Sequence, residues 1–377
     1  MQFKATIIST VAVLGLASCS VSQQETGNVQ PTLKDAYKDS FMMGAALSKN
    51  QVLGNEPKSL KVVAREFNTV TAENEMKWEA IQPTEGTFTF ESADALAQFS
   101  EDYDQFFVGH TLVWHHQTPD WVFEDEHGNP ASKELVLKRM EAHINKVASR
   151  YAGQVDGWDV VNESLNDDGT WRESKWYQIL GDQYIVYAFE MAQKAAPDTE
   201  LYYNDYNLFK PEKRAGAVKI VKSLQAKGVR IDGVGIQGHY GIGYPDLNEL
   251  EKSIQAFGDL GVKVMITELD ISVLPFPDTE SQGADVSIDL ELQATLNPFE
   301  NGLSPQMDQQ LADAYQEIFE LLLRHDDTIS RVTFWGVNDN QTWRNDWPMK
   351  GRSDYPLLFD RQNEPKAAYQ SVLKLKQ

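Results

Sequence analysis

From residue 33 onward, short apolar runs alternate with longer segments in which apolar residues recur every three or four positions. The runs are FMMGAAL (41–47), FNTVTAEN (67–74), FFVGHTLVW (106–114) and VDGWDVVNE (155–163), followed by ELYYND (200–205), GVGIQGH (233–239), VKVMITELD (262–270) and RVTFWGVND (331–339). Each has strand length and is apolar almost without interruption, as expected of strands covered on both faces. KELVLKRMEAHINKVASRY (133–151) and QQLADAYQEIFELLLRHD (309–326) represent the segments between them. In the first, Leu135, Val136, Met140, Ile144 and Val147 recur at helical spacing. Eight strand–helix units predict an α/β fold with a parallel sheet closed into a (β/α)₈ TIM barrel. An open doubly wound sheet is the alternative, but no glycine-rich phosphate turn follows the first run to favour it.

The apolar pattern breaks at the run ends. Glu73 and Asn74 end the second run; His110, Trp114 and His115 cluster toward the end of the third; Asn162 and Glu163 end the fourth. Asn204 and Asp205 end the fifth, Gln237 and His239 the sixth and Glu268 the seventh, while Trp335 lies in the eighth. A single glutamate at a strand end is ordinarily just a solvated group. In a barrel, however, these ends converge on one face, and active sites are built there.

Strands four and seven stand three apart in a ring of eight, so Glu163 and Glu268 are expected to face each other across the mouth. Two carboxylates flanking a bond suit glycoside hydrolysis, one protonated to serve the leaving oxygen and the other ionised at the sugar carbon. Their mutual repulsion favours that division. His110, His115, His116 and His239 raise a metal site as a rival. Neighbouring strand residues point to opposite faces, and no HExxH spacing occurs, so no metal is expected. A serine hydrolase is disfavoured by the lack of a GxSxG elbow.

TAENEMKWEAIQPTEGTFTF, GHTLVWH, WDVVNE, YYNDYN, GIQGHY, ITELD and FWGVNDNQTWR, in that order, resemble the successive motifs of glycoside hydrolase family 10, the endo-β-1,4-xylanases. The resemblance covers roughly residues 38–375. It implies a (β/α)₈ barrel acting on xylan and xylo-oligosaccharides without a cofactor, by retention, with Glu163 as acid/base and Glu268 as nucleophile. It further implies that Asn162 binds the sugar 2-hydroxyl at the cleavage subsite and that His239 hydrogen-bonds the nucleophile and helps keep it ionised. Glu73, Asn74 and Lys77 would hold sugars on the non-reducing side, with His110, Trp114 and Gln237 around the cleavage subsite. Trp335 and Trp343, with Arg344 close by, would wall the glycone side, and Tyr206 would be a stacking platform toward the leaving group. Retention implies carboxyl groups about 5–5.5 Å apart.

Two departures from the family pattern stand out. His116 occupies a position where the family commonly has a small polar residue, with a modest expected effect. The long acidic segment 275–306 is expected to rim the groove, because loops of that length are seldom filler. A β-1,4-glucanase on the same barrel is a second enzymatic reading. A surface glycan-binding lipoprotein that has lost catalysis would predict substitution of a catalytic carboxylate, and both are present.

Composition narrows the partners. The formal charge of −22, with no basic stripe, makes nucleic acid and anionic lipid headgroups poor ligands. Nine Trp and fourteen Tyr are generous; core packing is the ordinary reading of such rings, but Trp beside polar strand ends suits stacking on a ligand. The first twenty residues, MQFKATIISTVAVLGLASCS, carry one basic residue, Lys4, and then an apolar run to Ala17 too short to span a bilayer. Leu16-Ala17-Ser18-Cys19 resembles a bacterial lipobox. That implies a signal peptide over 1–18, lipid on Cys19, a polar tether over 19–32 and a catalytic barrel over 33–377. Ser20 after the cysteine resembles sorting to the outer membrane, on either its periplasmic or its cell-surface face. A plain secretory signal with an incidental cysteine is the alternative. Cys19 is the only cysteine, so no intrachain disulfide can form. A monomer is expected.

Overall fold

Eight parallel strands close on themselves in chain order, each hydrogen-bonded to its sequence neighbours and the last to the first. They are β1 (Met42–Leu47), β2 (Thr69–Ala72), β3 (Phe106–Val113), β4 (Gly157–Asn162), β5 (Glu200–Asp205), β6 (Gly233–Gly241), β7 (Lys263–Ser272) and β8 (Ile329–Phe334). In this computed structural model the described residues are 31–275, 296–348 and 350–377, and Thr32–Gln377 forms one compact unit. Cys19, the leader and the tether up to residue 30 lie outside the described residues, as do residues 276–295 of the acidic segment. Thr32 caps the helix Leu33–Ala36 by accepting from Asp35 N.

Each strand is followed by at least one helix that covers it from outside, as the alternation of periodicities predicts. Lys133–Arg150 begins where Ser132 accepts from Leu135 N and buries Val136, Met140, Ile144 and Val147. The helix expected from 309 starts four residues earlier, at Pro305. Ser304 caps it by accepting from Met307 N, and proline fits the first helical position because its missing N–H would have no partner there. Bulky rings beside the strands are admitted by glycines on adjacent strands. A Cβ on Gly109 would stand 2.2 Å from the Trp158 ring, and one on Gly157 would stand 2.4 Å from Tyr202.

Every strand but β5 differs from its apolar run by a residue or more at one end or both, and three of the differences bear on the site. β6 and β7 run on to Gly241 and Ser272, so Glu268 lies within its strand and does not end it. Asp270 beyond it does not break the strand because neighbouring side chains satisfy its carboxylate. β8 is displaced toward the N-terminus and stops at Phe334. Trp335 therefore lies just after the eighth strand, where its N–H still reaches Leu269 O at 3.0 Å and Gly336 turns the chain at φ +132°. Only glycine takes that backbone readily.

Candidate active site

The two glutamates share a backbone device. Glu163 and Glu268 both have φ +56°, a left-handed conformation uncommon for a residue with a Cβ. Around each the ladder slips: β4 and β5 change register between Asp159 and Val161, and β7 and β8 between Ile266 and Leu269. Strict alternation would turn Glu163 away from the face used by Asn162. The left-handed residue brings both into the mouth, and a direct hydrogen bond joins them: Asn162 Nδ2 donates to Glu163 Oε1 at 3.3 Å.

A polar relay then crosses the mouth from one carboxylate to the other. Gln237 Nε2 donates to Glu163 Oε1 (3.1 Å) and to Asn162 Oδ1 (3.2 Å). Asn204 Nδ2 donates to the same Asn162 oxygen (3.0 Å) and to Glu268 Oε1 (2.7 Å). Thr267 Oγ donates to Asn204 Oδ1 at 2.6 Å, which fixes the orientation of that amide. On the other side, Trp114 Nε1 donates to Glu163 Oε2 at 3.0 Å. Glu268 and Asn162 are buried, and the relay supplies the partners that buried polar groups require.

Behind Glu268 stands a charged cluster. His239 Nε2 lies 3.1 Å from Glu268 Oε2, and its Nδ1 lies 3.0 Å from Asp270 Oδ1. Asp270, wholly buried, also accepts from Arg344 Nε (2.7 Å) and Trp343 Nε1 (2.7 Å). Burial opposes the charge on His239, but Asp270 and Glu268 outweigh it and push its pKa up to about 9. The imidazolium therefore donates from both nitrogens at neutral pH. Burial likewise opposes ionisation of Asp270, and Arg344 and His239 reverse that, holding its carboxyl below the usual range.

Glu163, just past the end of β4, and Glu268 on β7 divide the mouth. On the side of β8, β1, β2 and β3, Lys77 donates to Asn74 Oδ1 at 2.9 Å and stands 4.7 Å from the Trp114 ring centre. Burial lowers the Lys77 pKa against the pull of Glu268, Glu73 and Glu163. Burial and the neighbouring Glu75 push Glu73 up to about 7. His110 meets Asp159 Oδ2 at 2.8 Å and packs edge-on to Trp335, centroids 5.3 Å apart. Trp343 adjoins His239 at 4.9 Å and Trp347 at 4.6 Å. On the β5–β6 side, Tyr206 lines the cleft beside Asn207 and Tyr244.

All fourteen residues expected at the cleavage and sugar-binding site from sequence line one cleft of about 660 Å³. His115 and His116 do not line it; they lie beyond the end of β3 with ring centroids 4.3 Å apart, so strand alternation does not separate them. Several residues went unassigned: Asp270, Asn204, Asp159 and Trp347. Asp270 had a readable signal, since it lies two positions beyond Glu268 on the same strand and so on the same face. Asn204 stood among the polar strand ends without a role. Asp159 sits inside an apolar run, and nothing local distinguishes it.

The described barrel has close relatives. The family described as glycosyl hydrolase family 10 matches residues 32–375. An endo-1,4-beta-xylanase A of Xylanibacter ruminicola is 43% identical over 92% of this chain and 94% of its own length. Among solved structures, a GH10 endoxylanase retrieved from a sugarcane soil metagenome superposes with a TM-score of 0.86 at 44% identity, covering 92% of this chain and 99% of that one. A mutant structure in complex with xylotriose gives 0.81 at 38% identity, with 91% and 99% coverage. Because the family match runs from the cap of the first helix to the last one, this chain belongs to glycosyl hydrolase family 10.

Proposed function

We propose that the chain is an endo-1,4-β-xylanase that cuts inside xylan by double displacement. The observation that carries this reading is the pair Glu163 and Glu268, set on opposed strands of an aromatic-walled cleft and joined by a continuous amide relay. The xylanases among its relatives support the substrate, and the relative solved with xylotriose supports oligosaccharide binding in this cleft. In the first step a Glu268 oxygen bonds to the sugar's anomeric carbon while the glycosidic bond breaks and the Glu163 proton passes to the leaving oxygen. In the second, Glu163 takes a proton from water, whose oxygen attacks the same carbon and releases Glu268. Donors from Trp114, Gln237 and Asn162 hold the Glu163 carboxylate between the two steps. The His239 imidazolium balances the charge on Glu268 before attack and after release. Reducing-end release from xylan is expected to exceed release from carboxymethylcellulose by about 10²-fold or more, because xylose lacks the hydroxymethyl group that a glucan must accommodate. Comparable rates on the two polymers would favour the β-1,4-glucanase reading.

The proposal extends to the leader. Leu16-Ala17-Ser18-Cys19 supports cleavage before Cys19, acylation there and attachment to the outer membrane through a polar tether. Cys19→Ser is expected to move the enzyme from the membrane fraction to the soluble fraction with xylanase activity intact. Wild-type protein that is soluble and unacylated after export would overturn the anchor reading. The barrel is expected to act as a monomer, which sedimentation of the anchor-free protein would check.

A further inference from the structure

Lys213 is a charged side chain that the hydrolytic chemistry above does not use. It lies in the first turn of the helix Pro211–Ala226, where the aligned peptide dipoles disfavour a cation, and its side chain is wholly buried. Burying an ammonium is costly unless it is paired. Two carboxylates pair it, Asp205 Oδ1 at 3.0 Å and Asp167 Oδ1 at 3.3 Å. The helix start does not favour a lysine here; its ammonium answers the two carboxylates and touches one further group.

That neighbour is Tyr206. The Lys213 Nζ stands 3.4 Å from the centre of the Tyr206 ring, well inside the range of a cation–π contact. Tyr206 lines the cleft, and Lys213 is shielded from solvent, so the ammonium covers the ring face turned away from the cleft. The ring is held at two further points. Its hydroxyl accepts from Arg172 Nη2 at 2.5 Å, and its backbone N–H donates to Asp205 Oδ1 at 2.9 Å. The carboxylate that pairs Lys213 therefore also fixes the backbone carrying the ring. Asp167 is secured in turn by Lys210 Nζ (2.7 Å) and Asn207 Nδ2 (3.0 Å).

We propose that Lys213 is a positioning residue for the leaving-group side of the cleft: seated between Asp205 and Asp167, its ammonium holds the Tyr206 ring as the platform for the first sugar beyond the cleaved bond. The inference rests on the xylanase reading and on the division of the mouth, which puts Tyr206 across the Glu163–Glu268 line from Lys77, Trp335 and Trp343. An aromatic ring without its rear contact regains rotamer freedom, and a sugar stacked on it must then supply the ordering. An apolar residue at 213 would fill the space but leave two carboxylates facing each other.

The test compares a leaving group that needs the platform with one that does not. Xylotetraose places xylose on Tyr206, whereas β-xylobiosyl fluoride releases fluoride and places no ring there. Lys213→Met is expected to lower kcat/KM on xylotetraose about ten-fold and on the fluoride less than two-fold. In a Tyr206→Ala background the same substitution is expected to add no further selective loss. Asp167→Asn keeps Lys213 paired with Asp205 and should give a smaller loss of the same selectivity, so it decides the matter where Lys213→Met fails to fold. Equal losses on both substrates in the folded variant, or undiminished cleavage of xylotetraose, overturn the proposal. Wild-type protein that cleaves neither substrate overturns the xylanase reading, and this inference with it.

Discussion

Glu268→Ala is expected to abolish hydrolysis of xylan and of aryl xylobiosides alike, by about 10⁴-fold or more, because attack on the anomeric carbon is required whatever the leaving group. Glu163→Ala should behave differently. A xylose leaving group needs a proton, and an activated aryl group needs little, so this variant should keep far more of its glycosylation rate on aryl xylobiosides than on xylan. Its second step lacks a base, and added azide should restore turnover by attacking the glycosyl-enzyme directly. In Glu268→Ala azide can at most yield a glycosyl azide of inverted configuration. Product configuration, read by proton NMR, separates the two. The opposite pattern would exchange the roles of the two glutamates. Equal loss on both substrates in Glu163→Ala, with no response to azide, would reduce Glu163 to a group that orients substrate.

Asp270→Asn should also be damaging, although it removes neither of the two glutamates. It leaves Arg344 buried without its carboxylate, a change that typically costs about 3–5 kcal/mol of stability. It also frees His239 and Trp343 from their shared anchor, and displacement on the scale of an ångström can cost about 10²-fold in kcat/KM. The pH dependence gives a sharper readout. In the folded protein His239 is raised from 6.5 to about 9, so its contribution to stability is complete below 6.5 and is lost as pH rises through about 9. Asp270 is depressed below 3.8, so its contribution is present above that value and is lost at more acidic pH. Without the Asp270 charge, the His239 cation keeps only Glu268 as support and should lose its proton at lower pH. The alkaline limbs of melting temperature and of kcat/KM should both move toward neutrality in Asp270→Asn. Limbs that coincide with those of the wild type would show that Asp270 does not set the charge on His239.

The alternation of apolar runs and amphipathic helices was enough to read the barrel, because each signal is local: a strand covered on both faces or a helix with one buried side. The polar strand ends were legible for the same reason, as they interrupt an otherwise apolar run. The second layer of the site was less so. Asp159 and Asp270 lie inside strands, and what makes them tolerable there is a partner on another strand or loop, 49 residues away for His110 and 74 for Arg344. Lys213 reads in sequence as an ordinary surface lysine near a helix start. Its burial depends on Asp205, eight positions earlier, and on Asp167, 46 positions earlier. β6 and β7 run past the polar residues that interrupt their apolar pattern because neighbours across the mouth satisfy those residues, whereas β8 stops five residues before its apolar run does.

The left-handed backbone at Glu163 and Glu268 has a bearing on how this enzyme can be improved. A side chain held in that conformation typically stores about 1–3 kcal/mol, and glycine at either position would release it. The same two positions carry the proposed chemistry, so the substitutions most favourable to the folded barrel there also silence it. A selection for heat resistance alone would tolerate, and even reward, inactive proteins. Libraries built to harden this barrel should therefore hold both positions fixed and score catalysis in every round.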